Sequence, residues 1–339
     1  MILDCTKSPT PIFILGIMPR CGTNFLQNLI CLHPDCVSSA LWEDFMLYPA
    51  PLLEAYAHAV YTEWLPLSTK KLENIMDSPL DSLLHHLGEG LLSFLYTQQP
   101  QSQRLVTKTP WVRNLPSFFK LFPNAQLLIL IRDGRSVIES GVTSFNWDYQ
   151  SAMHQWAEAA QKIIQFQQHQ HHSHQYMIVK YEDIYSKTVE TMTKILEFLN
   201  LDKQSYDFAK SINAPVIGSS DIICRGRENE PQEFTIHWQP IEKTTEFNPL
   251  SRWHNWDDAK HALFNKISGK QMLQFGYSLQ GSLVEEIDSK THSSTDIVTK
   301  TNSPLQHPED PNYYRQIIRH LLEEYQSVTD NTTKDNFYY

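Results

Sequence analysis

The chain lacks any window approaching the roughly 18 uninterrupted apolar residues of a membrane-spanning helix, so no transmembrane helix is expected. Its first residues, Met1-Ile2-Leu3-Asp4-Cys5-Thr6-Lys7, carry no basic stretch ahead of a long apolar one, and no cleavable leader is expected. Cysteine is sparse: five in 339 residues, an odd number without the spacing of a small disulfide scaffold. That usage suits reduced thiols in a cytoplasm. Positive charge is in deficit, with 28 Lys and Arg against 38 Asp and Glu and a formal net charge of −10. The balance argues against a general nucleic-acid binder, and an anionic ligand would need a locally positive pocket inside an acidic envelope. Internal repeats are absent too. What remains is 41% hydrophobic and 19% charged, the composition of a globular chain of one large domain or two.

The most informative stretch runs from Pro11 to Leu32. The apolar run Ile12-Phe13-Ile14-Leu15-Gly16-Ile17 stops at Pro19-Arg20-Cys21-Gly22-Thr23-Asn24, after which Phe25, Leu26, Leu29 and Ile30 recur at helical spacing. Strand, tight turn and helix N-terminus are predicted. The first N–H groups of a helix have no intrahelical partners, so an anion can sit there. Gly22 lets the backbone approach it, and Thr23 and Asn24 add side-chain donors. The stretch reads as a phosphate cradle, against the plainer alternative of an ordinary β-turn-α corner. It is not an ATPase P-loop, because five residues separate Gly16 from Gly22, no lysine follows Gly22, and the cation is Arg20.

Further along, Val37 to Trp42 predicts a second strand leading into Glu43-Asp44, either a carboxylate base at the phosphate edge or a surface acidic pair. Leu80, Leu83, Leu84, Leu87 and Leu91 predict a helix within a helical excursion over 45–100. His85-His86 cannot share a helix face and so are poor joint ligands. Leu105 to Thr109 is a short strand carrying Lys108 before Pro110; taken alone, such a lysine is usually just solvated. Leu127 to Ile131, five apolar residues without alternation, predicts a strand buried on both faces. Arg132-Asp133 ends it, and a helix opens through Gly134, Arg135 and Ser136. Arg132 offers a planar fork of donors that suits a phosphate dianion, while Asp133 would orient an arginine or cap the helix. Trp147 to Phe166 and Val189 to Leu199 predict helices, and Tyr176 to Asp183 a strand. The histidines of 169–174 read as a solvated helix-end loop rather than a metal site.

These motifs resemble the sulfotransferase family, and within it the branch that includes the tyrosylprotein sulfotransferases. Pro19-Arg20-Cys21-Gly22-Thr23 resembles the family's 5′-phosphosulfate loop, usually P-R-S-G-T-T, with Cys21 and Asn24 as departures. Ile131-Arg132-Asp133-Gly134-Arg135 with Ser140 resembles its 3′-phosphate element, which carries nucleotide binding over to Arg132 and Ser140. By the same resemblance Glu43 is the general base, with Asp44 the alternative, and Lys108 stabilises the transferring sulfuryl group together with Arg20. Thr109-Pro110 follow that lysine where cytosolic members carry a nearby histidine, which strengthens a carboxylate base. Tyr181, in Val179-Lys180-Tyr181-Glu182-Asp183, matches a tyrosine that contacts the nucleotide. Lys243, seven residues before Leu250-Ser251-Arg252-Trp253, matches a lysine of the closing lid.

The implied fold is a three-layer α/β/α, P-loop-like nucleotide-binding fold with a mostly parallel sheet and ligand at the strand C-terminal edge. It would occupy 1–280, followed by a polar linker over 281–310 and a short helix and tail over 311–339. The resemblance implies sulfuryl transfer from 3′-phosphoadenosine 5′-phosphosulfate to a hydroxyl or phenol of a small molecule or peptide. The product would be adenosine 3′,5′-bisphosphate, with no metal, no nucleic-acid partner, and room for a homodimer. Two readings from other classes stay open: an ATP-dependent small-molecule kinase, and a non-catalytic nucleotide-binding protein of the same fold.

Overall fold

A computed structural model describes residues 9–73, 78–97, 102–169, 174–216 and 248–281. Lys243, the middle of the histidine run, the expected polar linker beyond Gly281 and the expected C-terminal helix lie outside the described residues.

The apolar run predicted as the first strand forms β1 (Ile12–Gly16), every residue of which is buried. It leads through a six-residue turn into α1 (Thr23–Ile30), whose Phe25, Leu26, Leu29 and Ile30 are buried. There follow β2 (Cys36–Ser38), α2 (Ala50–Glu73), α3 (Pro79–Tyr96), β3 (Arg104–Thr109) and α4 (Phe118–Leu121). The second half holds β4 (Gln126–Ile131), α5 (Gly134–Phe145), α6 (Tyr149–His169), β5 (Tyr176–Lys180), α7 (Tyr181–Ser186), α8 (Thr188–Phe198), α9 (Phe208–Asn213) and α10 (Asp258–Gln274).

Among the described residues all four strand pairings are parallel, and the sheet order is β2-β3-β1-β4-β5. The chain leaves β1 toward β2 on one side, then crosses to β4 on the other. The strand order therefore reverses beside β1, and such a reversal opens a crevice at the strand C-terminal ends. The register sets what lines it: Ile14 lies level with Lys108, Leu15 with Thr109, and Gly16 with Leu130. The turn after β1, the end of β3 and the Arg132-Asp133 corner after β4 thus emerge at one edge. Right-handed crossovers running in opposite directions from the middle strands place helices on both faces. Of these, α1 packs with α8, while α5, α6 and α10 pack with one another.

Two predicted strands are shorter than expected. The second ends at Ser38 rather than Trp42: Ser39 N still donates to Val106 O at 2.9 Å, but Ser39 Oγ then accepts from Leu41 N at 3.2 Å. That local turn replaces the ladder. The fifth strand ends at Lys180, and Tyr181 opens α7 instead of continuing it.

By its internal contacts the chain divides into two compact units, Met1–Pro49 with His85–Gly281, and Ala50–Leu84 with Ser282–Tyr339. The sheet and every site residue treated below belong to the first. In the second, the described part is α2 and the first turns of α3. No described helix is long and apolar enough to cross a membrane.

Candidate active site

The turn after β1 has two residues in the left-handed region, Arg20 at φ 74° and Gly22 at φ 104°. Gly22 is the N-cap of α1, and a Cβ there would meet the Tyr181 ring at 2.5 Å. Both its backbone and its neighbour demand glycine. Cys21, fully buried, donates its N–H to Met18 O at 3.2 Å, and burial pushes its thiol up to about 11. It stays protonated and acts as packing against Gly16. The amide oxygen of Asn24 is buried without a hydrogen-bond partner, so this side chain reserves polar capacity at the cradle.

Arg20 reaches from the turn to α5. Its Nε donates to Ser140 Oγ on α5 at 3.1 Å, and its guanidinium lies 5.3 Å from the Phe145 ring centre. Burial, then the charges of Arg252 and Arg132, push its pKa down to about 9. Arg132, 5% exposed, donates from one terminal nitrogen to Arg20 O at 2.7 Å and from the other to Pro249 O. Its face covers the Tyr181 ring at 4.2 Å, and its Nε has no partner. Tyr181 is itself buried, with its hydroxyl unpartnered and its pKa raised to about 12 by that burial. Arg252 Nη1 reaches Ser140 Oγ at 3.4 Å. Three of the residues singled out from the sequence, Arg20, Arg132 and Ser140, are thus one cluster, flanked by Tyr181.

The corner that presents Arg132 is tightly built. Asp133 caps α5 by accepting from Arg135 N at 2.9 Å and pairs with the Arg135 guanidinium at 2.6 Å, so it serves the helix and Arg135 rather than Arg132. Glu182, half-buried, accepts from Asp133 N and from Tyr277 Oη, each at 2.8 Å. The Gly276-Tyr277 ending of the domain is therefore wired to the corner.

The other cluster lies at the ends of β2 and β3. Lys108 Nζ sits 3.3 Å from Glu43 Oε1; the lysine is 2% exposed and the carboxylate 21%. The ammonium also lies 5.2 Å from the centre of the Trp42 ring. Burial raises the Glu43 pKa, with Lys108 opposing, and burial lowers that of Lys108, with Glu43 opposing. Both groups are pushed toward neutrality, the pattern that suits proton transfer near pH 7. Asp44 is spent otherwise. Its carboxylate accepts from Thr107 Oγ1 at 2.7 Å, Thr109 Oγ1 at 2.9 Å and Met46 N at 3.0 Å, while its own N–H donates to Lys108 O. It staples the Glu43 loop to β3, which is how Glu43 arrives beside Lys108 although β2 has already ended. Beyond the pair lies an aromatic rim. Trp42 and Tyr48 are about half exposed, and the Arg113 guanidinium lies 4.4 Å from the Tyr48 ring centre and 5.2 Å from that of Trp111.

Arg252 was visible in the sequence within Leu250-Ser251-Arg252-Trp253 but carried no role there. Among the described residues no group of three His, Cys, Asp or Glu is placed to hold a metal ion.

The chain is 26% identical over 202 residues to a protein-tyrosine sulfotransferase of Drosophila melanogaster, covering 56% of this chain and 38% of that one. It is 27% identical over 165 residues to human protein-tyrosine sulfotransferase 1, covering 45% and 41% respectively. It therefore spans about two fifths of the length of these relatives. Among solved structures, the sulfotransferase domain from the Synechococcus PCC 7002 olefin synthase superposes with a TM-score of 0.50 at 22% identity, covering 82% of this chain and 98% of that one. That likeness establishes the fold, a mostly parallel sheet with helices, as expected from the sequence. The profile of the sulfotransferase family matches residues 11–205, more than half of the chain, and the chain belongs to the sulfotransferase family.

Proposed function

We propose that this protein transfers the sulfuryl group of 3′-phosphoadenosine 5′-phosphosulfate to a phenol or alcohol. The observation that carries the reading is one strand edge bearing two unlike clusters. An arginine group around Ser140 would hold a dianionic phosphate, and a buried Glu43–Lys108 pair lies on the other side of the cradle. The donor has two phosphate-bearing ends, and the edge offers two places for charge. Glu43 takes the proton of the acceptor hydroxyl, and the acceptor oxygen attacks sulfur in line. The bond from sulfur to the bridging oxygen of the 5′-phosphate breaks, leaving its electron pair on that oxygen. Lys108 and the N–H groups opening α1 offset the charge developing there. Lys243 would add to the nucleotide site from the lid, as the sequence resemblance implies.

The acceptor we infer is a tyrosine of a peptide or protein. Exposed Trp42 and Tyr48, with Trp111 beside them, offer faces on which a phenol ring can pack next to Glu43. The names of the two relatives point the same way. The described cysteines Cys21, Cys31 and Cys36 are free thiols, which supports placement in a reducing compartment such as the cytoplasm.

The test is transfer of labelled sulfate from the donor to tyrosine peptides and to small phenols, run with excess EDTA. Transfer that persists under EDTA and favours tyrosine peptides is expected. No transfer to any acceptor, or transfer that needs added magnesium, overturns the reading.

A further inference from the structure

We infer that the chain carries a second ligand site, at the sheet edge opposite the cradle, where Arg104 receives the anionic end of a small organic molecule. That end is a phosphate or a carboxylate group. The inference stands apart from the proposed sulfuryl transfer and would survive its failure.

The described strands run parallel, so their N-terminal ends share the edge away from the candidate active site. A cavity of about 350 Å³ opens there, and Arg104 at the start of β3 lines it with Gln126 at the start of β4. Asn124, His174, Gln175 and Asn200 line the rest of its polar wall. The volume falls at the small end of the range for ligand pockets. Among the described residues its lining carries one arginine and no carboxylate.

Arg104 is held by neutral acceptors. Its Nε donates to Thr10 O at 2.8 Å, one terminal nitrogen to Leu199 O and the other to Gln126 Oε1. Gln126 is fixed in turn, since its Nε2 donates to Phe198 O at 2.7 Å. These bonds join β3 to the entry of β1 and to the end of α8, which is structural work. They use three of the five N–H groups of a guanidinium and leave its charge unanswered. Among the described residues no carboxylate pairs with Arg104, in a chain with 38 Asp and Glu. Burial pushes the arginine's pKa down, and the groups that oppose it are the Cys36 thiol and the Tyr96 phenol. Both are uncharged near neutral pH.

Polar side chains with capacity to spare gather around the same cavity. Among the described residues Asn124, His174 and Asn200 are exposed and make no side-chain hydrogen bond. Gln175 spends one N–H on Pro123 O at 2.5 Å. The amides of Asn124 and Asn200 hold about four N–H donors between them, and Arg104 keeps about two more. An oxyanion is the ligand that such donors fit, and it brings the negative charge that Arg104 lacks. A neutral ligand would leave that charge unanswered, and a cation would oppose it. The cavity has room beyond one oxyanion, so the group arrives on a small organic frame.

The experiment is calorimetry on the full chain with glycerol 3-phosphate, succinate and inorganic phosphate, each against sodium chloride of equal ionic strength. Saturable binding of at least one organic anion, tighter than that of inorganic phosphate, is expected. The tighter of the two organic anions identifies the group. Asn124→Asp places a carboxylate at the same cavity and should weaken that anion by about tenfold or more. Asn124→Ala adds no charge and should weaken it by less than about threefold. Arg104→Gln should abolish binding; it also loosens the contacts at the strand ends, so Asn124→Asp decides if that variant unfolds. No saturable binding above the chloride control overturns the site, as does binding that Asn124→Asp leaves intact. Inorganic phosphate bound as tightly as the organic anions would overturn the organic frame.

Discussion

At Glu43 and Lys108 a carboxylate and an ammonium lie 3.3 Å apart, and each offsets much of the other's charge. Around Ser140 two guanidinium groups approach a neutral hydroxyl, with Arg132 against the turn that carries the first of them. Both places are buried, so the contrast is one of balance. A balanced pair can sit empty at little cost and can pass a proton between states of similar energy. A place that gathers guanidinium groups favours a ligand of negative charge. On the proposed function one place serves the chemistry and the other the grip, and the two should fail separately.

The largest effect should come from breaking the balanced pair. Glu43→Gln keeps the shape of the side chain and removes the proton acceptor. A positioned base is worth about 10²- to 10⁴-fold, and turnover should fall by that factor. Binding of adenosine 3′,5′-bisphosphate should stay as in wild type, because the arginine cluster is untouched. Single-turnover kinetics and calorimetry on the same variant check both halves. A variant that loses binding along with turnover would show the two clusters to be one.

Acidity should separate them next. Glu43 must be unprotonated to act, and burial raises its pKa, so the rate should fall as pH drops through a value above the ordinary carboxylate range. Lys108 must be protonated, and burial lowers its pKa, so the rate should fall again as pH rises through a value below the ordinary lysine range. Each limb should approach about tenfold per pH unit, and the acid limb should vanish in Glu43→Gln. Grip should behave differently. Bisphosphate affinity should hold across neutral pH and weaken only toward and above the Arg20 value of about 9. A binding curve that follows both limbs of the rate would contradict the separation.

Much of this was legible in the chain before any coordinates. The apolar run of β1 announced a strand and that of β4 a strand buried on both faces, and the Arg132-Asp133 corner announced the following helix. What was not legible depended on partners distant in sequence. Ser38 ends β2 through a turn made by Ser39, which competes with a ladder that the residue pattern alone would continue. Tyr181 leaves the strand because it opens a helix whose Glu182 holds Asp133 N, 49 residues earlier. Arg252 finds Ser140 across 112 residues, by way of a segment whose only sequence signal was its Leu-Ser-Arg-Trp resemblance. The contact of Arg20 with Ser140, 120 residues away and made from a left-handed turn at φ 74°, had no signal in the sequence either.

The smallest effect concerns Asp44, the neighbour that sequence alone could not tell from the base. Its two carboxylate oxygens accept from the hydroxyls of Thr107 and Thr109 and from Met46 N. A carboxylate with three of its roughly four lone-pair sites so occupied is engaged as a staple, holding the Glu43 loop against β3. Asp44→Asn keeps one carbonyl oxygen for Thr109 and Met46 and sets an amide group against the Thr107 hydroxyl, which is fully buried and must rotate to accept. Losing one charge-assisted bond in that setting should lower stability by about 1–3 kcal/mol, seen as an earlier midpoint in chemical denaturation. Turnover should drop by less than about tenfold, since a slightly looser loop still carries Glu43 to Lys108. Were Asp44→Asn to lose turnover by about 10²-fold or more with stability unchanged, Asp44 would be the base. The 3.3 Å pair of Glu43 with Lys108 would then be the staple.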